Sequence, residues 1–356
     1  MEGRTLFYIP AHRTTSSRLH EVDWDNLAFG QYNSDHMLVC DYADGQWQTP
    51  QILPFGNFSL SPATLSLHYG QTIFEGMKAF RMEDGRINIF RPLRHYNRFA
   101  LSATRLCMPV VPQNVYIEGL RRLVEIDKNW VPGQRESALY LRPFMIATEP
   151  RLRIKISESY RFCIMTTPTG PYYEKPLRVR VETDFARAVK GGTGYAKCGG
   201  NYAASLYPAS KAKEQGYDQV LWTDGIENKY IEESGAMNIF FVIEDTLVTP
   251  PLSDRILDGI TRDSLITLAA GAGIPVAERP VAVEELQEAL QKGQVREAFG
   301  SGTAAVVSPI GAIGIGGTDY MLPAPGQGNI SCLLRTALDN IRYGREPDPH
   351  GWNSIL

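Results

Sequence analysis

The chain has 356 residues, with 36 Lys+Arg against 39 Asp+Glu, a net charge of -3, 43% hydrophobic and 21% charged residues. That is enough chain for two domains with cores of their own, and an ordinary globular composition. It excludes the basic stripe of a nucleic-acid binder and the charged block of an interaction tail. No apolar run approaches the roughly 20 residues that span a bilayer. The opening "MEGRTLFYIPAHRTTSS" lacks the apolar centre of a signal peptide. The expectation is a cytoplasmic protein with no nucleic-acid or membrane partner.

Cys40, Cys107, Cys163, Cys198 and Cys332 are scattered and form no C-x-x-C pair, as reduced thiols would be. The six histidines form no H-E-x-x-H or H-x-H pair, so no metal site is expected.

In chain order, "RINIFRP" (86–92) reads as a strand and "LRHYNRFALSATRL" (93–106) as a helix with apolar residues at helical spacing. "PQNVYIEGLRRLVEIDKNW" (112–130) is a second amphipathic helix. "SALYLRPFMIA" (137–147) and "YRFCIMTTP" (160–168) read as buried strands. The Pro- and Gly-rich stretch at 169–176 is the expected linker between a smaller N-terminal domain, 1–168, and a larger one, 177–356. After it, "LRVRVETD" is a strand and "AASLYPASKAKEQGY" (203–217) a helix with an internal proline. Residues 219–251 read as strand, turn, strand, strand. Helices follow at 259–273 and 282–293. "REAFGSGTAAVVSPI" (296–310) reads as strand, small-residue turn, strand, and "ISCLLRTALDNIRYG" as a last helix. Strands and helices do not alternate regularly, so the fold class is α+β. No G-x-G-x-x-G follows a strand, and no P-loop is present.

"GTGYAKCGGNYAASL" holds a lone lysine, Lys197, among small residues. It is either a solvated lysine on a glycine-rich loop or an amine whose lowered pKa makes it a base or Schiff-base former. "YIEESGAMNIFF" puts Glu232 and Glu233 at the start of an apolar strand, where neighbours point to opposite faces and only one can face inward. A buried carboxylate needs a cation or donor, such as a protonated pyridine nitrogen. Gly259, Ile260 and Thr261 stand at a helix start, where backbone N–H groups suit a phosphate. Ser301 and Thr303, in "FGSGTAAV", offer a second anion cradle, and Arg98 a full positive charge. Each alone is also ordinary structure. Together they are what pyridoxal phosphate requires.

The runs "GYAKCGGNYAASL", "YIEESGAMNIFFV", "FGSGTA", "IFEGMKAF" and "FRPLRHYNRF…SATRLCMP" resemble the branched-chain amino acid aminotransferases, members of the fold-type IV pyridoxal-phosphate enzymes. The resemblance runs in order from about residue 25 to "IRYG". It implies a two-domain α+β fold and pyridoxal 5'-phosphate as cofactor. It also implies amino transfer between L-leucine, L-isoleucine or L-valine and 2-oxoglutarate, in a homodimer whose partners are small amino and keto acids. Lys197 then matches the Schiff-base lysine and Glu233, two before Gly235, the acid on the pyridine nitrogen. Tyr202 matches the tyrosine near the phenolic oxygen. Arg98, Ile260, Thr261 and Thr303 match the phosphate cradle. Tyr69, Phe74, Tyr140 and Tyr172 match the aromatic substrate wall, Arg142 the region that reads the glutamate side-chain carboxylate, and Thr303 with Ala304 the α-carboxylate seat. Ala236 stands where mammalian relatives carry a threonine, and Ala305 and Ser308 replace their C-x-x-C, so that thiol control is not expected. A D-amino acid aminotransferase, an aminodeoxychorismate lyase and a non-catalytic pyridoxal-phosphate carrier are the alternatives.

Overall fold

Alternating and continuous apolar runs make the first part of the chain strand-rich, and two amphipathic helices cover it. The computed structural model describes residues 8–134, 136–173 and 175–356. The first seven residues and Glu174, which carry parts of the leader and linker readings, lie outside them. In order come β1 (His36–Ala43), β2 (Gln46–Trp47), β3 (Gln51–Pro54), α1 (Leu65–Tyr69), β4 (Thr72–Phe74), β5 (Met77–Arg81) and β6 (Ile87–Phe90). Then follow α2 (Pro92–Arg105), α3 (Gln113–Ile126), β7 (Ala138–Ala147) and β8 (Tyr160–Thr169). Pro92 opens α2, where its missing N–H costs nothing and its fixed φ suits the helix. The buried face of α2 carries His95, Arg98, Phe99, Ser102 and Ala103, a spacing of three and four residues.

The second part holds β9 (Leu177–Glu182), α4 (Gly199–Glu214), β10 (Gln219–Thr223), β11 (Ile231–Ser234), β12 (Met237–Ile243) and β13 (Thr246–Thr249). Next are α5 (Ile260–Gly271), β14 (Val276–Glu278), α6 (Val283–Gln291), β15 (Val295–Gly302), β16 (Val306–Ile315), β17 (Thr318–Met321) and α7 (Ile330–Arg342), and the chain closes with β18 (Asn353–Ile355). Among the described residues no helix is long and apolar enough to cross a membrane.

The chain forms two compact units that part between Tyr172 and Tyr173, and Arg342–Leu356 belongs to the first unit. This corrects the reading of 177–356 as one domain. The final strand β18 pairs with β6, and the Trp352 ring packs edge-on to Phe90 at 5.8 Å. In the first unit the strands run β18-β6-β5-β7-β8-β1-β2, with β3 on β1 and β4 on β7. Every pairing between these named strands is antiparallel.

In the second unit the order is β11-β10-β9-β16-β15-β12-β13-β14, and β11 also pairs with β12. The extra pairing closes β9, β10, β11, β12, β15 and β16 into a ring, so these six strands have no open edge. Its core is built from Val179, Leu221, Ile239, Phe241, Leu286 and Ile313, all buried.

Three local readings change. Residues 219–251 hold four strands, because "EESGAMN" turns back on itself at Gly235, whose φ of +56° is the conformation a tight hairpin needs at its first turn position. A Cβ at Gly235 would also lie 2.2 Å from Gln219 Oε1. The helix after Lys197 starts at Gly199 and not at Ala203, which brings Tyr202 into its first turn. Glu232 and Glu233 are both buried, at 3% exposure each, although they point to opposite faces. Each face of β11 meets an arginine from elsewhere in the chain.

Candidate active site

Lys197 lies in the loop between β9 and α4. Asn201, in the first turn of α4, holds that loop by donating from Nδ2 to Thr193 O at 2.8 Å and to Ala196 O at 2.9 Å. The Thr193 hydroxyl donates back to Asn201 Oδ1 at 2.7 Å. The loop is further tied by Tyr195 N to Asp254 O at 3.1 Å and by Arg187 Nη2 to Gly194 O at 3.2 Å. From this held backbone the half-buried Lys197 donates from Nζ to the Tyr202 hydroxyl at 2.8 Å.

Glu233 lies on β11. Its Oε1 accepts from Leu257 N at 3.0 Å and Asn238 Nδ2 at 3.2 Å, and Arg187 Nε stands 2.6 Å from Oε2. Burial pushes the Glu233 carboxyl above its ordinary value, and the Arg187 cation, the Leu257 N–H and, more weakly, Lys197 act against that rise. Glu232, on the other face, pairs with Arg255. Burial raises its carboxyl too, with Arg255 opposing.

The register places Glu233 opposite Asn238 and Asn238 opposite Ser301, which sets the three side chains on one face of three adjacent strands. Asn238 Nδ2 also donates to Leu257 O at 2.9 Å. Leu257 is three residues before α5, which begins at Ile260 and Thr261 with Gly259 at its N-cap. Thr303 and Ala304 form the half-buried turn that follows β15.

These residues fit pyridoxal phosphate. An ionised carboxylate has about four acceptor sites; on Glu233 two are taken by hydrogen bonds and a third faces the Arg187 cation. The Ser301 hydroxyl on the same face is buried without a hydrogen-bond partner. An amine, a phenol and a buried acid are the donor set such a ring takes.

In the first unit, Arg98 meets Glu75 side-on, with Nε 2.6 Å from Oε1 and Nη2 2.9 Å from Oε2. His95 Nδ1 stands 2.8 Å from Oε2, and Gly76 N donates to it at 3.0 Å. Although burial opposes ionisation of Glu75, the Arg98 and His95 charges and hydrogen bonds outweigh it and hold its carboxyl far below the carboxylate range. β7 carries Tyr140 and Arg142 to one face, where Arg142 Nη2 donates to the Tyr140 hydroxyl at 3.0 Å. The Arg142 guanidinium lies 4.7 Å from the Phe74 ring centre and 5.2 Å from that of Tyr140. Phe29 packs edge-on to Tyr140 at 4.9 Å and to Tyr172 at 5.4 Å. A Cβ on Gly76 would lie 1.8 Å from the Tyr140 hydroxyl, so the glycine makes room for that ring. Arg142 thus joins Phe74 to Tyr140, and Phe29 joins Tyr140 to Tyr172. Tyr69, 41% exposed at the end of α1, packs beside His68.

Arg187, Asn201, Asn238, Glu75 and Phe29 were given no role by the sequence. Glu75, Asn201 and Asn238 stand inside the quoted motifs, so their position was the available signal. Arg187 and Phe29 lie on irregular segments with no periodicity to mark them.

The class IV amino-transferase family model matches residues 72–313. Branched-chain-amino-acid transaminase 1 of Bacillus subtilis (strain 168) is 46% identical over 335 residues, which is 93% of this chain and 94% of that protein. A branched-chain aminotransferase from the thermophilic archaeon Thermoproteus uzoniensis, solved with norvaline, superposes with a TM-score of 0.73 at 28% identity and covers 90% of this chain and 99% of its own. The branched-chain amino acid aminotransferase from Thermobaculum terrenum, solved in its PLP-bound holo form, shares the fold, with a TM-score of 0.74 at 22% identity and 91% and 99% covered. With the family model spanning more than half its length and a near-full-length relative well above the level at which homology is in doubt, the chain belongs to the class IV aminotransferases.

Proposed function

We propose that this protein is a pyridoxal-phosphate-dependent branched-chain aminotransferase, moving an amino group between L-leucine, L-isoleucine or L-valine and 2-oxoglutarate. The observation that carries the reading is the Lys197 amine, 2.8 Å from the Tyr202 hydroxyl, on a loop that Arg187 ties to the buried Glu233. When bound, the cofactor supplies an electron sink for the carbanion left by loss of an α-proton. Lys197 Nζ is the covalent anchor and the base that takes that proton. The Tyr202 hydroxyl fixes the direction of the amine. Glu233, with its remaining acceptor site, holds a proton on a ring nitrogen. Arg98, the first amides of α5 at Ile260 and Thr261, and Thr303 would bind the phosphate, and the turn at Thr303 and Ala304 the substrate α-carboxylate. Phe74, Tyr140 and Tyr172, with Tyr69, would give a branched aliphatic side chain its apolar surface, at about 25 cal/mol per Å² buried.

The proposal extends to a homodimer in the cytoplasm. Leu152, Ile154 and Ile156, at 68%, 82% and 57% exposure, are apolar side chains on one irregular segment that a second copy would cover. Light scattering tests the dimer. For the reaction, borohydride reduction of the cofactor-loaded protein followed by peptide mapping places the label on Lys197, and L-leucine is turned over where D-alanine is not. A label on another lysine, or D-alanine as the better donor, overturns the reading.

A further inference from the structure

We propose that Glu75 is a positioning residue for cofactor phosphate, acting through Arg98, with His95 bracing it from the other side. The inference rests on the reading of Arg98 as the phosphate arginine, and adds what makes that arginine effective.

Glu75 is fully buried. Its two oxygens take the Nε and Nη2 edge of Arg98 at 2.6 and 2.9 Å. A side-on pair of this kind fixes the plane of a guanidinium as well as its place. Once the plane is fixed, so is the direction in which Nη1 projects. Oε2 also takes His95 Nδ1 at 2.8 Å and the Gly76 amide at 3.0 Å, so the carboxylate cannot turn to follow the arginine. His95 and Arg98 are three residues apart on the buried face of α2. One carboxylate, reaching from the residue after β4, therefore sets both of these charged or polar side chains.

The pair has an electrostatic consequence. Glu75 cancels much of the Arg98 charge, so Arg98 serves a phosphate by directed hydrogen bonds more than by net charge. Two effects then compete when the carboxylate is removed. Loss of the counter-charge strengthens attraction to an anion, while loss of the clamp lets the guanidinium swing. A glutamine at this place keeps one acceptor but turns an NH2 group toward the arginine donors, which drives the guanidinium off its line. Orientation wins because a charge-assisted hydrogen bond depends steeply on geometry.

The test compares pyridoxamine 5'-phosphate with pyridoxamine, neither of which can form a Schiff base with Lys197. Their equilibrium affinities for the cofactor-free protein give the phosphate contribution as a ratio. Glu75→Gln should lower this ratio by about 10-fold or more, with pyridoxamine affinity little changed. In the Arg98→Ala background the same substitution should leave the ratio unmoved. An equal fall for both ligands would mark Glu75 as structural only, and a rise in the ratio would mean that its charge opposes phosphate; either overturns the proposal. If Glu75→Gln does not fold, Glu75→Asp, which keeps the charge but shortens the reach, should lower the ratio in the same selective way, and an unchanged ratio there refutes the clamp. If Arg98→Ala itself leaves the ratio unchanged, the phosphate assignment of Arg98 fails, which is a separate result from failure at Glu75 alone.

Discussion

Replacing Arg142 by alanine tests how one pocket could accept both an apolar side chain and a carboxylate. The arginine is already engaged: Nη2 is bonded to the Tyr140 hydroxyl at 3.0 Å, and the guanidinium faces the rings of Phe74 and Tyr140 at 4.7 and 5.2 Å. Its Nε is buried without a hydrogen-bond partner. An aromatic enclosure of this kind tempers the cost of a cation beside a leucine side chain while leaving charge for a glutamate carboxylate. A hydrogen bond to a charged group contributes about 1.5–3 kcal/mol, or about 10- to 150-fold. Arg142→Ala should therefore slow the glutamate and 2-oxoglutarate half-reactions by that factor, and the leucine half-reaction by no more than about threefold, roughly 0.6 kcal/mol. Arg142→Met, which keeps an unbranched apolar stem over the two rings, should show the same split with less loss of packing. Stopped-flow absorbance of each half-reaction provides the measurement. Equal losses in both would refute the reasoning and make Arg142 a structural residue or a holder of the shared α-carboxylate.

Arg187→Met leaves the buried Glu233 without the cation now 2.6 Å away, which should cost the cofactor-free protein about 3–5 kcal/mol in urea denaturation. Adding Glu233→Gln should recover part of that loss, and strict additivity of the two substitutions would show that they are not coupled. Asp224, on the turn after β10, is pushed up by its burial, but backbone N–H donors from Glu227, Tyr230, Lys229 and Ile226 prevail and lower it from 3.8 to about 2. A carboxyl depressed in the folded state contributes stability above its unfolded value and loses it as pH falls toward the folded one, here about 2 kcal/mol between pH 3.8 and about 2. Asp224→Ala should lower the urea midpoint at neutral pH and lose less on acidification than the wild type; parallel acid loss in the two proteins would contradict this.

The sequence by itself determined the α+β class, the strands read at 137–147 and 160–168, the amphipathic helices and the segment around Lys197. Those signals are local: a period of two or 3.6 residues, a proline that opens a helix, glycines around a lone cation. Even within them local pattern had limits. "YIEESGAMNIFF" reads as one apolar strand that opens on two carboxylates, and only the φ of Gly235 breaks it into β11 and β12. Alternation correctly sends Glu232 and Glu233 to opposite faces, but it cannot tell that both faces are interior. That depends on the closure of the ring through the β11–β12 pairing, and on Arg255 and Arg187 arriving from elsewhere in the chain.

The tertiary structure also decided which side chains brace the ones that sequence picked out. Glu75 and Arg98 are separated by 23 residues, and Asn238 meets Glu233 only because a hairpin sets them opposite. Phe29 reaches Tyr140 and Tyr172 from a segment with no regular structure. The C-terminal strand returns to β6 because its backbone donors and acceptors find an edge there, and Trp352 finds Phe90. Pairings of this kind are set by contact across space, for which a linear pattern of residue types holds no distance.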